Sequence, residues 1–373
     1  MSSPRHASFA DDVRADGKPG RRAEELRAPS DMRISEYLGT RFTLVYRTTR
    51  LYCSNRSLGA WGHLLWHLSR RPFNRSLVPF ITISPTYRCQ CRCVHCCANA
   101  AQRDHRDELE TWEVKSVIDQ AKGLGVLQVT FSGGEPLLRE DIVELVQHAH
   151  RRGLLTRINT NGLLLDRSLV RELRKAGLTQ GAVSIDDTDP ETHDRLRGLR
   201  GAHAKALEGI TNLLEAGILC QISTYASRRN LTEGLQRIIG LGRRLGVLSI
   251  YIILPAAVGC WEGHLDERLT EEEQAKARAL QIPGFVFLEL PTARALCGVS
   301  AKTVLFVSPR GDVTPCPFVP FAFGNIREHT LSELWTCHCR SFDMMCRGQC
   351  IMNDSVRRDE LRRHVGSVVD SLG

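Results

Sequence analysis

The sequence predicts an α/β fold built on a parallel sheet, and three observations carry that reading. Six β-rich apolar runs alternate with helix-patterned runs between residues 78 and 256, the pattern of right-handed crossover units. Four of the helical runs are each followed by a glycine, Gly123, Gly153, Gly177 and Gly217, a common stop signal. The polar and cysteine-bearing motifs follow successive strands, and loops at the carboxyl ends of such strands gather functional groups.

Residues 1–30 mix Asp, Arg, Pro, Gly and Ser with few large apolar side chains, a composition that predicts a disordered tail. Residues 31–77 form a basic, amphipathic extension in which Leu58, Trp61, Leu64, Leu65, Trp66 and Leu68 recur at near-helical spacing beside Arg56, Arg70 and Arg71. Such a helix can lie on a membrane; the commoner use, and the expectation here, is docking on the chain's own domain. Strands are expected at 78–87, 126–131, 154–159, 182–186, 220–225 and 248–254. Helices at 111–124, 139–152, 167–176, 202–216 and 231–245 alternate with them. This core, 78–256, is followed by a linker with a helix at 257–290, a cysteine-rich region at 291–350 and a helical tail at 351–373. Within the cysteine-rich region, 304–307 and 312–314 read as a hairpin turning over 309–312.

A chain of 373 residues is long enough for one large α/β domain with appendages. No apolar run approaches a membrane span of roughly 18 residues, and the first twenty residues are unlike a secretory signal, so a cytoplasmic protein is expected. In that reducing setting clustered cysteines read as metal ligands rather than disulfides. Eleven of the 14 cysteines fall within 89–97 and 297–350. Isolated Cys53, Cys220 and Cys260 read as small buried apolar residues. The formal charge is +8, of which residues 1–80 hold +7. A basic arm can meet nucleic acid, anionic lipid or an acidic peptide. Only seven of the 50 basic residues are lysine, however, a skew that genomic base composition explains, and no nucleic-acid partner is expected.

Cys89, Cys93 and Cys96 form a CxxxCxxC triad, with Cys91 and Cys97 as extra thiols in the same loop. Thiolates suit iron–sulfur clusters or zinc. Structural zinc usually takes four ligands, whereas three thiolates on a 4Fe-4S cluster leave one iron open for a small molecule. The triad is followed by Ser132-Gly133-Gly134-Glu135-Pro136 after the next expected strand. Glycines there let backbone approach a ligand, or make an ordinary strand-ending turn.

Together these motifs resemble the radical S-adenosylmethionine (SAM) superfamily over residues 78–256. The resemblance implies a partial (β/α)6 barrel of TIM type. It implies a 4Fe-4S cluster whose free iron binds SAM, and reductive cleavage of SAM to a 5'-deoxyadenosyl radical that abstracts a substrate hydrogen. It further implies that Gly133, Gly134 and Glu135 receive the SAM amino group, that Asn159 and Ser184 with Asp186 face ribose or carboxylate, and that Arg197 pairs with the SAM carboxylate. A solvated helix charge is the alternative for Arg197. His95 stands where the family often has an aromatic residue, and Cys91 and Cys97 are not family ligands. A flavodoxin, ferredoxin or reductase would supply the electron.

Cys297, Gly311 and Cys316 follow C-x13-G-x4-C, and Cys337, Cys339, Cys346 and Cys350 crowd nearby. This resembles the SPASM/Twitch extension, which carries auxiliary clusters. Arg340 stands where that pattern expects a cysteine, and none follows Cys350. One auxiliary 4Fe-4S cluster on Cys297, Cys316, Cys346 and Cys350 is therefore expected, with the share of Cys337 and Cys339 open and a zinc ribbon as the alternative. The expected activity is hydrogen-atom abstraction in peptide maturation or natural-product and cofactor biosynthesis. Small molecules such as sugars or tetrapyrroles are the alternative substrates. A non-catalytic metal protein with a basic recruitment arm is the rival from another class.

Overall fold

The computed structural model describes residues 51–53, 58–70, 78–98, 104–262, 269–289, 304–341 and 350–372, all within the unit Tyr46–Gly373. The expected tail at 1–30 lies outside them. The helix of the N-terminal extension is α1 (Leu58–Arg70). The core alternates β1 (Phe80–Thr86), α2 (Thr111–Gly123), β2 (Gln128–Gly133), α3 (Ile142–Arg151), β3 (Leu155–Thr160), α4 (Arg167–Ala176), β4 (Gln180–Ser184), α5 (Pro190–Arg197), α6 (Ala202–Glu215), β5 (Leu219–Tyr225), α7 (Glu233–Leu245) and β6 (Ser249–Ile253). The six strands pair in parallel in sequence order, as expected.

Local chemistry fixes the helix ends. The Asp166 carboxylate accepts from the Ser168 and Leu169 amides at the start of α4, and that helix stops at Gly177, φ 98°. Asp189 caps α5, with Pro190 at its first position. Of the glycines expected as stops, Gly153, Gly177 and Gly217 take positive φ, but Gly123 does not; the left-handed residue after α2 is Gly125.

The strands alternate cleanly. Ile81, Val129, Phe131, Ile158, Val183, Ile222 and Ile250 are buried with Val117, Leu145, Leu173, Ile210 and Ile238 of the helices. Fully burying such a side chain contributes about 1.5–3 kcal/mol. Residues of the other parity, among them Thr82, Gln128, Thr130, Arg157, Asn159, Gln221 and Ser249, give the opposite face a polar surface.

Four strands join the sheet beyond the six of the core, and of these only the hairpin pair was expected. After α8 (Glu271–Ala279), β7 (Val286–Glu289) pairs in parallel with β6, inside the segment expected to be a linker. The expected hairpin forms as β8 (Val304–Val307) and β9 (Asp312–Thr314), with Gly311 at φ 91° in its turn. Its first strand also joins β1 in parallel, Ile81 opposite Leu305. The sheet therefore runs β10-β9-β8-β1-β2-β3-β4-β5-β6-β7, where β10 is Gly324–Asn325. Helices α9 (Leu331–Ser341) and α10 (Ser355–Leu372) complete the chain. None of the described helices is long and apolar enough to cross a membrane.

Helix α1 docks on the core as expected, but with only part of its apolar stripe. Ala60, Leu64 and His67 face inward, packing with Tyr52 and Leu155. The His63 and His67 rings meet the Val126 and Gly125 carbonyls at 2.8 and 2.6 Å. Leu65 and Leu68 stay 64% and 55% exposed. Thus α1 sits beside the loop leading into β2 and the start of β3, the end of the sheet opposite the strand-following motifs.

The cysteine-rich region is tied to α2 by Arg327, whose guanidinium donates to both Glu113 carboxylate oxygens at 2.6 and 2.9 Å. Those bonds hold Glu113 below the usual carboxylate range. Its contribution to stability is therefore present above the unfolded-state pKa and lost as pH falls through the lower folded one. Arg327→Met is expected to lower stability by about 1–3 kcal/mol at pH 7. Thermal melts from pH 7 downward should show the gap closing below the ordinary carboxylate range; a gap that does not depend on pH would contradict this.

Candidate active site

The loop after β1 carries the first cysteines and is pinned from below. Glu108 accepts from the Thr86 hydroxyl and the Tyr87 amide at 2.9 and 2.7 Å. The end of β2 lies flush against it, the Gly134 and Glu135 amides donating to the Thr86 and Arg88 carbonyls at 3.0 and 2.7 Å. The glycine pair is what allows this approach. A Cβ on Gly133 would stand 1.9 Å from Ser84 Oγ, and one on Gly134 2.4 Å from the Arg88 carbonyl oxygen.

Within the loop Cys89, Cys93 and Cys96 are partly accessible, whereas Cys91 is 3% exposed. The Cys91 thiol bonds to both Cys89 and Cys93 and favours their thiolates, pushing its own pKa far up. With help from Arg197, it holds Cys93 at about 6. Cys89, Cys93 and Cys96, with Cys97 also partly accessible beside them, thus present a thiol donor set suited to an iron–sulfur cluster with an open iron. The arrangement fits the expected cluster.

Glu135 is fully buried. It accepts from the Leu137 amide at 3.1 Å, the Thr160 hydroxyl at 2.8 Å and the Asn161 amide at 2.8 Å. Burial still pushes its carboxyl up to about 7 against those three donors. Asn161 in turn donates to Gln90 at 3.2 Å, so the ends of β2 and β3 are laced to the cysteine loop. Asn159 is oriented by Ser132 and by Arg157, at 3.4 and 2.9 Å. Ser184 ends β4, opposite Ser223 of β5.

Two residues later Asp186 is buried against Arg197, Oδ2 to Nη2 2.7 Å. Arg197 is not a solvated helix charge: it is 8% exposed. Its Nη1 lies 3.7 Å from the Cys93 sulfur. Although burial opposes ionisation of Asp186, Arg197 and then His95 keep it below the usual carboxylate range. His95 lies 3.3 Å from the same carboxylate. Burial lowers the imidazole to about 4, so it is neutral at pH 7. Its ring packs on Tyr225, centroids 4.4 Å apart, and on Trp261 at 6.0 Å. The Cys260 amide donates to the Cys96 carbonyl at 2.9 Å. No sequence signal announced Tyr225 or Trp261 at this loop; the resemblance placed Asp186 and Arg197 at SAM but did not pair them with each other.

In the second region Cys316 follows β9, and its sulfur accepts from the Phe318 amide at 3.5 Å. Cys316, Cys350 and Cys97 pack around one small apolar cluster that includes Val258, Val319, Phe323 and Met352. Cys337 and Cys339 fall in α9, whereas Cys297 and Cys346 lie outside the described residues. Among the described residues no three His, Cys, Asp or Glu side chains converge to hold a single metal ion. The well-spaced cysteines of the first loop are included in that statement, and clusters ask for wider spacing than one ion.

Comparison with known proteins agrees. The radical SAM superfamily matches residues 83–228, and the SPASM iron-sulfur cluster-binding domain matches 297–355. The AdoMet-dependent heme synthase of Methanosarcina barkeri is 32% identical over 67% of this chain and 80% of its own. The PqqA peptide cyclase of Granulibacter bethesdensis is 30% identical, over 67% and 72%. Among solved structures, Streptococcus suis SuiB bound to S-adenosylmethionine has a TM-score of 0.62 at 18% identity, covering 77% of this chain and 76% of that one; at that identity it speaks for the fold. On these matches and the thiol geometry, the chain belongs to the radical SAM superfamily, in its SPASM-bearing branch, and is an enzyme that uses S-adenosylmethionine with a 4Fe-4S cluster and an auxiliary iron–sulfur site.

Proposed function

We propose that Cys89, Cys93 and Cys96 hold the SAM-binding cluster, and that SAM lies over the ends of β2 to β4 against Gly133, Gly134, Asn159 and Ser184. The observation that carries this reading is the loop of the CxxxCxxC triad, with Cys89, Cys93 and Cys96 partly accessible and Cys91 withdrawn, lying flush against the glycine pair. Bound there, the cluster and SAM supply one-electron reduction and hydrogen-atom abstraction. The chain's own share is positional. Glu135 and Asn161 keep the loop in register with β2 and β3, and the His95, Tyr225 and Trp261 rings wall one side against water. Cys297, Cys316, Cys346 and Cys350 hold the auxiliary cluster in this reading, and a cytoplasmic flavodoxin- or ferredoxin-type protein supplies the electron.

The substrate we infer is a peptide. On the polar face of the sheet Arg157 and Asn159 are partly exposed, held by a chain of bonds to the buried Gln221 and Ser249, and their polar groups suit the amides and carboxylates of a peptide. One relative is a peptide cyclase, and SuiB has been solved with its precursor peptide. A second reading, oxidation of a tetrapyrrole, is favoured by the match to a heme synthase. Anaerobic reconstitution with iron and sulfide, reduction with dithionite and assay of 5'-deoxyadenosine is expected to give product well above a Cys89→Ala, Cys93→Ala, Cys96→Ala control. Equal yields at full iron loading would refute the site. Stimulation of that yield by short peptides encoded beside the gene, but not by iron coproporphyrin, supports the peptide; the reverse supports the tetrapyrrole.

A further inference from the structure

Arg197 has two contacts that its expected role at the SAM carboxylate does not require. One guanidinium nitrogen is locked on Asp186 at 2.7 Å and the other lies 3.7 Å from the Cys93 sulfur. The backbone around it is equally engaged with the cysteine loop. The Arg92 amide donates to the Arg197 carbonyl at 2.9 Å and the Val94 amide to the Leu196 carbonyl at 3.0 Å. Gly198, which ends α5 at φ 63°, has room for no Cβ, since one would stand 2.6 Å from the Arg92 carbonyl oxygen. The end of α5 is thus a clamp on the two residues flanking Cys93, and its last side chain is aimed at that sulfur.

We propose that Arg197 is a positioning residue that acts on the cluster through Cys93: held by Asp186, it donates an N–H to the Cys93 sulfur and eases the cluster's acceptance of an electron. This rests on the reading of Cys89, Cys93 and Cys96 as the cluster ligands. The physical reason is that reduction adds negative charge which spreads onto the cysteine sulfurs, so a donor aimed at one of them stabilises the reduced form more than the oxidised form. Asp186 cancels the formal charge of Arg197 at longer range. What reaches the cluster is therefore the directed N–H dipole, which a planar two-pronged guanidinium can aim while its other prong stays on the carboxylate. A lysine, with a single compact ammonium, cannot serve Asp186 and Cys93 in the same way.

The test uses the full chain, reconstituted anaerobically, as Arg197→Lys and Arg197→Gln. Iron is counted above the Cys89→Ala, Cys93→Ala, Cys96→Ala baseline, reduced cluster is measured by EPR at fixed potentials, and SAM affinity is read from the spectral change on adding it. With iron retained, the reduced-to-oxidised ratio is expected to fall about tenfold in Arg197→Lys, equivalent to about 59 mV for one electron, while SAM affinity stays within about twofold. An unchanged ratio with SAM bound at least tenfold more weakly would overturn the proposal and return Arg197 to the SAM carboxylate. Loss of the cluster from both variants with native circular dichroism would also overturn it, leaving a purely structural clamp. A wild-type protein with no iron above the baseline would instead sink the underlying ligand reading.

Discussion

A Gly134→Val variant is expected to keep its sheet and lose its SAM-binding cluster. The side chain would meet backbone: a first carbon on Gly134 stands 2.4 Å from the Arg88 carbonyl oxygen and 2.5 Å from that of Tyr87. Neither atom can swing away as a side-chain tip could, because the Gly134 and Glu135 amides bond the same strand end. The loop must therefore lift, and it carries Cys89 one residue on. Overpacking of this kind costs about 1–3 kcal/mol, which a chain with so large a common core should survive. Iron above the triple-cysteine baseline should fall to near zero, and 5'-deoxyadenosine formation by roughly three orders of magnitude or more, about 4 kcal/mol of barrier. Gly123→Ala is the matched control, since a Cβ there meets nothing within 4 Å. Wild-type iron in Gly134→Val would mean that the close approach does not position the cluster loop.

That expectation depends on a part of the site that was legible in the sequence, although its physical role was not. A glycine pair after a strand marks a place where backbone must come close, but which partner comes close depends on β1 and the loop after it, distant in the chain. The six core strands were readable because short apolar runs alternate with helix-patterned ones, and five of the six follow a nearby glycine, Gly125, Gly153, Gly177, Gly217 or Gly246. Strand β7 was missed: Val286–Glu289 is four residues, too short for alternation to separate it from a loop. The sequence could show that β8 turns into β9, a local event, but not that its other edge completes β1. The stripe of α1 was informative only in part. Leucine and tryptophan spacing identified the helix, and Leu64 and Trp61 pack inward, but the face is completed by His63 and His67 bonding to the Val126 and Gly125 carbonyls, and hydrogen-bonding partners have no periodicity. Arg197 was placed near the chemistry by the resemblance, and only the packed end of α5 put it on Cys93.

Cys91 and Cys93 of the loop differ in access, and this yields the sharpest single-residue contrast. Cys93→Ala is expected to abolish 5'-deoxyadenosine formation, a loss of roughly three orders of magnitude or more, because a cluster held by two thiolates exposes a second iron and is open to displacement. Cys91→Ala, two residues away, should retain the iron and stay within about threefold of wild type, under about 1 kcal/mol of barrier. The reasoning is geometric. Cys91 is 3% exposed, and its thiol is in hydrogen-bond contact with Cys89 and Cys93, so it supports the ligands from a buried position. Removing it takes one sulfur atom, with its single S–H, from a packed site. The residual effect should therefore appear in the ease of reduction, read by EPR at fixed potential, rather than in iron content. If Cys91→Ala loses the cluster and Cys93→Ala keeps it, the ligand set shifts along the loop, and the bond from Arg197 to Cys93 can no longer act on a cluster ligand.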